Sequence, residues 1–347
     1  DVDDPDLPDI LRASLREAGV SAFGFLSGAR LNSAVVGLDD ATLARCGLDA
    51  SGGAPGGAVA AALVYGEGPA EPPAWAKDYP GPLAAIARFA RANWYAELSN
   101  RLARAVAIFR AASGAAGADP GPAKSWRRFV NSRLPEKRLA LEAGLGSIGR
   151  HSLLMLPEGG SAAVIGVLIT PLSLPDSAPP APQCASTELF TMQNGEHSAA
   201  QNALRLSAFC DGCGACLAAC PTGALKGDGS IERELCLQHW SSVAGDLPAA
   251  VEAVWGNMLY GCDLCQEACP RFRPDPSART ERGLLGPGLP VSWLAAAEEE
   301  DIRAALKGSA LGMSWISAQA LKRNSRHLTQ ASLPPTIREN GGLNGNL

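Results

Sequence analysis

At 347 residues, 46% of them hydrophobic, the chain is long enough to bury a full core and to fold as more than one domain. Its net charge of −5 argues against a surface generally suited to nucleic acid, and no apolar run reaches the length that spans a bilayer. The charge is uneven, however. Asp1, Asp3, Asp4, Asp6 and Asp9 crowd the start, whereas 84–150 is basic from Arg88 through Arg127 and Arg128 to Arg150. Such a face suits an anionic substrate, a phosphate-bearing cofactor or a nucleic-acid backbone, although solvated helix surfaces account for many basic residues. The sequence opens on Asp1 rather than Met, so the lack of a targeting signal there carries little weight.

In chain order, residues 7–19 place Leu7, Ile10, Leu11, Leu15 and Ala18 on one helical face, and Gly19 closes the helix. A short strand follows over 21–26, and glycine-rich 52–57 leads into an apolar strand over 58–65. Pro69, Pro72, Pro73, Pro80 and Pro82 mark a loop, after which a long helix is predicted from about 82 to 112. A second helix is expected over 134–145, ahead of Gly146 and Gly149, and 162–170 is the clearest buried strand. The mixture predicts an α/β or α+β domain over 1–170.

Residues 171–208 are rich in Pro and Ser and show no period, which reads as an extended insertion or lid. A cysteine-rich module occupies 209–275. A helical tail fills 276–347, with one helix over 293–307, another around 316–328, and fraying after Leu333.

Eight of the ten cysteines fall into two interlocked sets. Cys210, Cys213, Cys216 and Cys220-Pro221 spell C-x2-C-x2-C-x3-C-P; Cys262, Cys265 and Cys269-Pro270 form a second run, with Cys236 alone between them. A cubane cluster needs four thiolates. A tight loop supplies three, and in bacterial two-cluster ferredoxins the fourth cysteine of a run serves the other cluster. The spacing therefore predicts one [4Fe–4S] cluster on Cys210, Cys213, Cys216 and Cys269, and a second on Cys220, Cys236, Cys262 and Cys265. Zinc also favours C-x2-C pairs, but the x3-C-P tail is foreign to zinc sites. Disulfides would suit a small, core-poor, secreted chain, and this one is neither small nor core-poor. Cys46 and Cys184 lie outside both sets. Reduced thiols at this density point to the cytoplasm.

The surroundings of the cysteines say more. FCDGCGACLAACPTGAL (209–225), Cys236 and YGCDLCQEACPRF (260–272) resemble the iron–sulfur half of the epoxyqueuosine reductases, cobalamin-dependent enzymes related to reductive dehalogenases. IARFARANWYAEL (86–98) is similar to that family's basic-aromatic helix, and EKRLALEAGLGSIGRHSLLMLPEGGS (136–161) to its glycine loop. LKGSALGMSWISAQALKRN (306–324) resembles the helices that follow the ferredoxin module.

The resemblance implies a nitroreductase-like, cobalamin-binding domain docked on a bacterial two-cluster ferredoxin-like module with a short helical tail. An external donor of flavodoxin or ferredoxin type would feed the clusters, and the clusters would feed the corrinoid. Gly144, Gly146, Ser147, Gly149, Arg150 and His151 would contact the cofactor, since backbone without a Cβ can lie against a flat macrocycle. His151 is the histidine to suspect as an axial ligand.

Two departures matter. Where the family begins a motif with a proton-handling aspartate, this chain reads FVNSRLPEK (129–137), placing Val130 or Asn131 there. The family's Asp-Tyr-His triplet becomes Trp94, Tyr95 and Ala96, so only the tyrosine survives. Tyr95 is then the candidate catalytic proton donor, and Arg128, Arg133 and Lys137 are candidates to hold an anionic substrate group. Loss of both an acid and a histidine predicts a divergent paralogue: a cobalamin-dependent reductase acting on another small-molecule or corrinoid substrate, without a membrane. Two alternatives stand beside it. One is an electron-transfer or corrinoid-reducing accessory protein; the other is epoxyqueuosine reduction on transfer RNA.

Overall fold

Two strands buried on both faces organise the first half of the chain. The computed structural model describes residues 6–46, 48, 56–177, 190–191, 203–204 and 206–330. Cys184, most of the proposed insertion and the stretch after Leu333 lie outside them. The first elements are α1 (Leu7–Glu17), β1 (Ala22–Ser27), α2 (Gly28–Ala34), α3 (Asp40–Cys46) and β2 (Gly57–Val64). Then come β3 (Leu83–Ile86), α4 (Trp94–Ala115), β4 (Arg127–Val130), α5 (Glu136–Glu142), β5 (Ser147–Ile148), β6 (Leu154–Met155) and β7 (Ala163–Thr170).

β1, β2, β7 and β4 form one sheet in that order, every pairing antiparallel. Alternation along β2 sorts its side chains into two cores. Val59, Ala61 and Leu63 meet Leu98, Leu102 and Phe109 of α4, while Ala58, Ala60 and Ala62 meet Leu139 and Ala140 of α5. An antiparallel sheet between helical layers is an α+β arrangement, as the mixed sequence pattern predicts.

After β7, the pair β8 (Phe190–Thr191) and β9 (Ala203–Leu204) precedes the cysteine region. That region holds α6 (Ala215–Ala219), α7 (Leu237–Trp240), α8 (Ala249–Glu252), β10 (Met258–Tyr260) and α9 (Leu264–Glu267). β11 (Gly288–Pro290), α10 (Val291–Ala296), α11 (Glu299–Leu306) and α12 (Ala318–Gln330) follow.

A second sheet, in the order β10-β3-β11, joins three distant parts of the chain: β10 runs parallel to β3 and β11 antiparallel to it. Ala84 and Ile86 thereby share a core with Leu259, Leu294, Ile302 and Leu321.

This sheet corrects the predicted long helix. Residues 83–86 are strand, a 3-10 turn covers Arg88–Ala90, and the helix starts only at Trp94, where the Asn93 side chain accepts the Ala96 N–H at 3.0 Å. The partners that make 83–86 a strand lie far along the sequence, beyond the reach of any local period. Residues 293–307 likewise divide into α10 and α11. Glu298 begins the second helix with a capping box completed by Asp301.

Candidate functional site

The glycine loop delivers the first cysteine run to its place. Leu206 bridges Ile148 in parallel fashion, Ser207 donates its N–H to the Ile148 carbonyl at 2.7 Å, and the Arg150 N–H donates to Cys210 Sγ at 3.5 Å. Cys210, Cys213, Cys216 and Cys269 then line one cavity with Arg150 and His151, enclosing about 330 Å³ of empty space, part of it open to solvent. Among the described residues no three His, Cys, Asp or Glu side chains gather closely enough to hold one metal ion. The four thiols share the wall of that space, the number of sulfur ligands a four-iron cluster takes. Burial pushes the Cys210 and Cys216 thiols up.

The second set is deeper. Burial pushes Cys262 and Cys265 up to about 12, with Cys236 among the neighbours that add to it, and it raises Cys236 as well. Burial acts in the same sense on Cys220, but hydrogen bonds from Thr222 and from the Ala224 and Leu225 N–H groups outweigh it and bring that thiol down. As thiolates these partly buried sulfurs need a positive partner, and iron is the partner this spacing suits.

Strand β3 anchors this set. Ala87 donates its N–H to the Tyr260 carbonyl at 2.9 Å, and Arg88 donates its N–H to Asp263 Oδ2 at 2.6 Å. Burial raises the Asp263 carboxyl, whose Oδ1 has no partner. Tyr65 shares a hydrogen bond of 3.2 Å with Gln266, and a short aromatic series leads away from the thiols. Phe89 stands 6.0 Å from Tyr260 and 6.4 Å from Tyr95, centroid to centroid.

Tyr95 thus lies at the start of α4, packed against two groups of apolar side chains. Burial raises its phenol far above the ordinary value, with Tyr260 and Glu136 adding to the effect. The Glu136 carboxyl is pushed up to about 7 by burial, although it accepts hydrogen bonds from the Asn131 N–H (3.1 Å), the Ser132 N–H (2.9 Å) and Ser132 Oγ (2.9 Å). Lys137 is lowered by burial and donates to the Ser152 carbonyl at 3.0 Å. Tyr95, Glu136 and Lys137 are each partly buried.

The basic candidates do not converge. Arg128 donates to the Ser99 carbonyl at 2.8 Å, Arg133 acts on Asp39, and Lys137 turns toward Ser152. The glycines of the loop answer to the fold itself. Gly144 ends α5 at φ +77, a Cβ on Gly146 would stand 2.1 Å from the Met155 carbonyl, and one on Gly149 would meet the His151 ring at 2.5 Å. Ser147 pairs with Met155 in the β5–β6 hairpin.

His151 is 3% exposed, and burial, with Lys137 nearby, holds it down at about 4. It faces the first cysteine cavity. Glu136, Asp263 and Gln266 are polar residues of this region that the sequence motifs do not single out. The last two stand inside the second cysteine run, between Cys262 and Cys269.

Residues 209–271 match the 4Fe-4S double cluster binding domain, so the chain carries that domain. Over 153 residues it is 32% identical to the epoxyqueuosine reductase of Vibrio cholerae, covering 43% of this chain and 34% of that protein. The chain spans between about a third and about half of the length of the curated relatives it matches. Among solved structures, the epoxyqueuosine reductase of Bacillus subtilis with its catalytic aspartate loop swung out of the active site superposes with a TM-score of 0.62. That match has 19% identity and covers 92% of this chain and 80% of that one. An epoxyqueuosine reductase bound to an epoxyqueuosine-modified tRNA-Tyr stem loop gives a TM-score of 0.59 at 19% identity, covering 92% and 80%.

Proposed function

We propose that this divergent relative of the epoxyqueuosine reductases is itself a reductase, in which two [4Fe–4S] clusters supply electrons to a cobalamin, with epoxyqueuosine in transfer RNA as the substrate. Cys210, Cys213, Cys216 and Cys269 hold the first cluster; Cys220, Cys236, Cys262 and Cys265 hold the second. Tyr95, Glu136 and Lys137, polar groups that are partly buried, would stand at one edge of the corrinoid. When bound, cobalamin supplies a reduced cobalt nucleophile, chemistry that no side chain offers.

The observation that carries this reading is the hydrogen bond from the Asn131 N–H to Glu136. Neither Val130 nor Asn131, where the resemblance would place an aspartate, carries a carboxyl. Glu136 brings a carboxyl to the same loop from the start of α5. Removing an epoxide oxygen as water takes two electrons and two protons, and a carboxyl titrating near 7 is suited to deliver a proton. Tyr95 stays a neutral phenol and orients the reacting group. The exposed Lys124, Arg128 and Arg133 supply positive charge for an RNA backbone.

The test is turnover. Protein loaded anaerobically with iron, sulfide and cobalamin is incubated with an epoxyqueuosine-containing stem loop and a low-potential reductant, and the nucleosides are resolved by mass spectrometry. Queuosine should form. If cobalamin binds and no queuosine appears, the substrate is another one. If both clusters assemble and cobalamin does not bind, the chain is an electron carrier.

A further inference from the structure

The cavity of the first cysteine set contains three N–H groups on two successive residues. One is the Arg150 backbone N–H, directed at Cys210 Sγ. The second is Arg150 Nε, buried and without a hydrogen-bond partner. The third belongs to His151. Its Nδ1 accepts the Leu153 N–H at 3.3 Å, so in the neutral imidazole the proton sits on Nε2. That Nε2 is also buried without a partner.

An orphaned buried donor costs about 1–3 kcal/mol, and two side by side on a cavity wall are not a chance of packing. They suit an acceptor that fills the cavity. Both residues line it together with all four thiols of the set. The chemistry of that acceptor is fixed by the wall: sulfur carrying negative charge.

We propose that Arg150 and His151 are hydrogen-bond donors to the cluster on Cys210, Cys213, Cys216 and Cys269, and that they raise its reduction potential. The inference rests on the two-cluster reading above. On taking one electron from an external low-potential donor the cluster gains one negative charge, and no bond is made or broken. Donors aimed at its sulfurs stabilise the reduced state more than the oxidised one, which moves the potential upward. Both residues thereby act as positioning and tuning groups. They pass no proton and touch no substrate.

The experiment is a potentiometric titration of the full chain, loaded anaerobically and reduced with dithionite, followed by electron paramagnetic resonance. Cys213→Ser marks which signal belongs to the first cluster. In His151→Phe, the ratio of reduced to oxidised first cluster at a fixed potential should fall about tenfold, equivalent to about 59 mV. The second cluster should not move, and His151→Gln, which keeps a side-chain N–H, should recover most of the shift. An exchangeable proton coupled to the first cluster should vanish from the electron–nuclear double-resonance spectrum of His151→Phe. If that variant fails to load, Arg150→Met, which retains the backbone donor, carries the same expectation for potential. An unchanged first potential, or equal shifts in both clusters, overturns the proposal. Wild-type protein that binds no clusters defeats the two-cluster reading before any titration begins.

Discussion

Asn324, fully buried in α12, donates its side-chain amide to the Leu259 carbonyl at 2.7 Å. The same nitrogen donates to the Ser241 carbonyl at 2.9 Å, and Ser241 Oγ accepts the Gly261 N–H at 3.0 Å. One side chain therefore ties the last described helix to the strand and turn that present Cys262. Asn324→Leu should orphan two buried carbonyls, at about 1–3 kcal/mol each. The expected result is a lower unfolding midpoint with iron lost from the second cluster before the first. Full iron loading at an unchanged midpoint would show that α12 is an appendage.

Gly261 provides a sharper test of the same junction. Its φ is +85, and a Cβ there would stand 2.3 Å from the Ala87 Cβ, closer than two carbons can approach. Gly256 has φ +65 but open space around it. Gly256→Ala should cost only the left-handed backbone strain, about 1–2 kcal/mol. Gly261→Ala adds an overlap that only movement of β10 away from β3 can relieve, so it should cost more and deplete the second cluster. Iron content and thermal unfolding of the pair separate strain from collision; equal behaviour would refute the close approach.

How legible this arrangement is from sequence depends on the range of the interactions. The cysteine sets were readable because a cubane imposes its geometry on local spacing, and β2 and β7 because burial on both faces leaves an unbroken apolar run. Residues 83–86 were not, since Leu83–Ile86 owe their extended form to β10 and β11, strands contributed from beyond residue 257. Glu136 is the first residue of α5, inside the helix expected over 134–145. Its second role comes from the backbone of Asn131 and Ser132 folding back on it, Asn131 at φ +53, and no residue pattern encodes that return. The loop glycines are candidates for a cofactor cradle, and Gly146 and Gly149 are also closely packed within the fold.

The first cysteine set also offers the more open route for electrons. Phe209 beside it is 46% exposed, with the Arg271 guanidinium 4.0 Å above its ring, and Arg273 is exposed nearby. An acidic electron-transfer protein of flavodoxin or ferredoxin type would be steered to that patch. Arg271→Glu should slow reduction of the clusters by such a donor several-fold at low salt and flatten the dependence on ionic strength. Reduction by dithionite, which needs no docking, should be unaffected. Stopped-flow absorbance at two salt concentrations distinguishes the cases, and an unchanged salt dependence with the protein donor would place docking elsewhere.

Glu136 makes the folded protein sensitive to pH in an unusual sense. Its folded value of about 7 lies above the ordinary 4.5, because burial penalises the charged form. Between those two values the folded chain holds a proton that the unfolded chain has released, so stability falls as pH rises through the interval. The full penalty is present above about 7 and absent below 4.5. At about 1.36 kcal/mol per unit the upper bound is roughly 3 kcal/mol. Glu136→Gln cannot titrate, so its unfolding midpoint should change less than that of the parent between pH 5.5 and 8. Under the proposed function the same proton would be the one offered to the leaving oxygen. Epoxyqueuosine turnover should therefore decline as pH rises through about 7, and Glu136→Gln should lower it by about 10²–10⁴-fold with that limb removed. Glu136→Gln retains an oxygen that can accept from Asn131 or Ser132, so the loop should remain anchored and cluster content unchanged. A variant that turned over at the parental rate with the parental pH profile would assign the proton to another group.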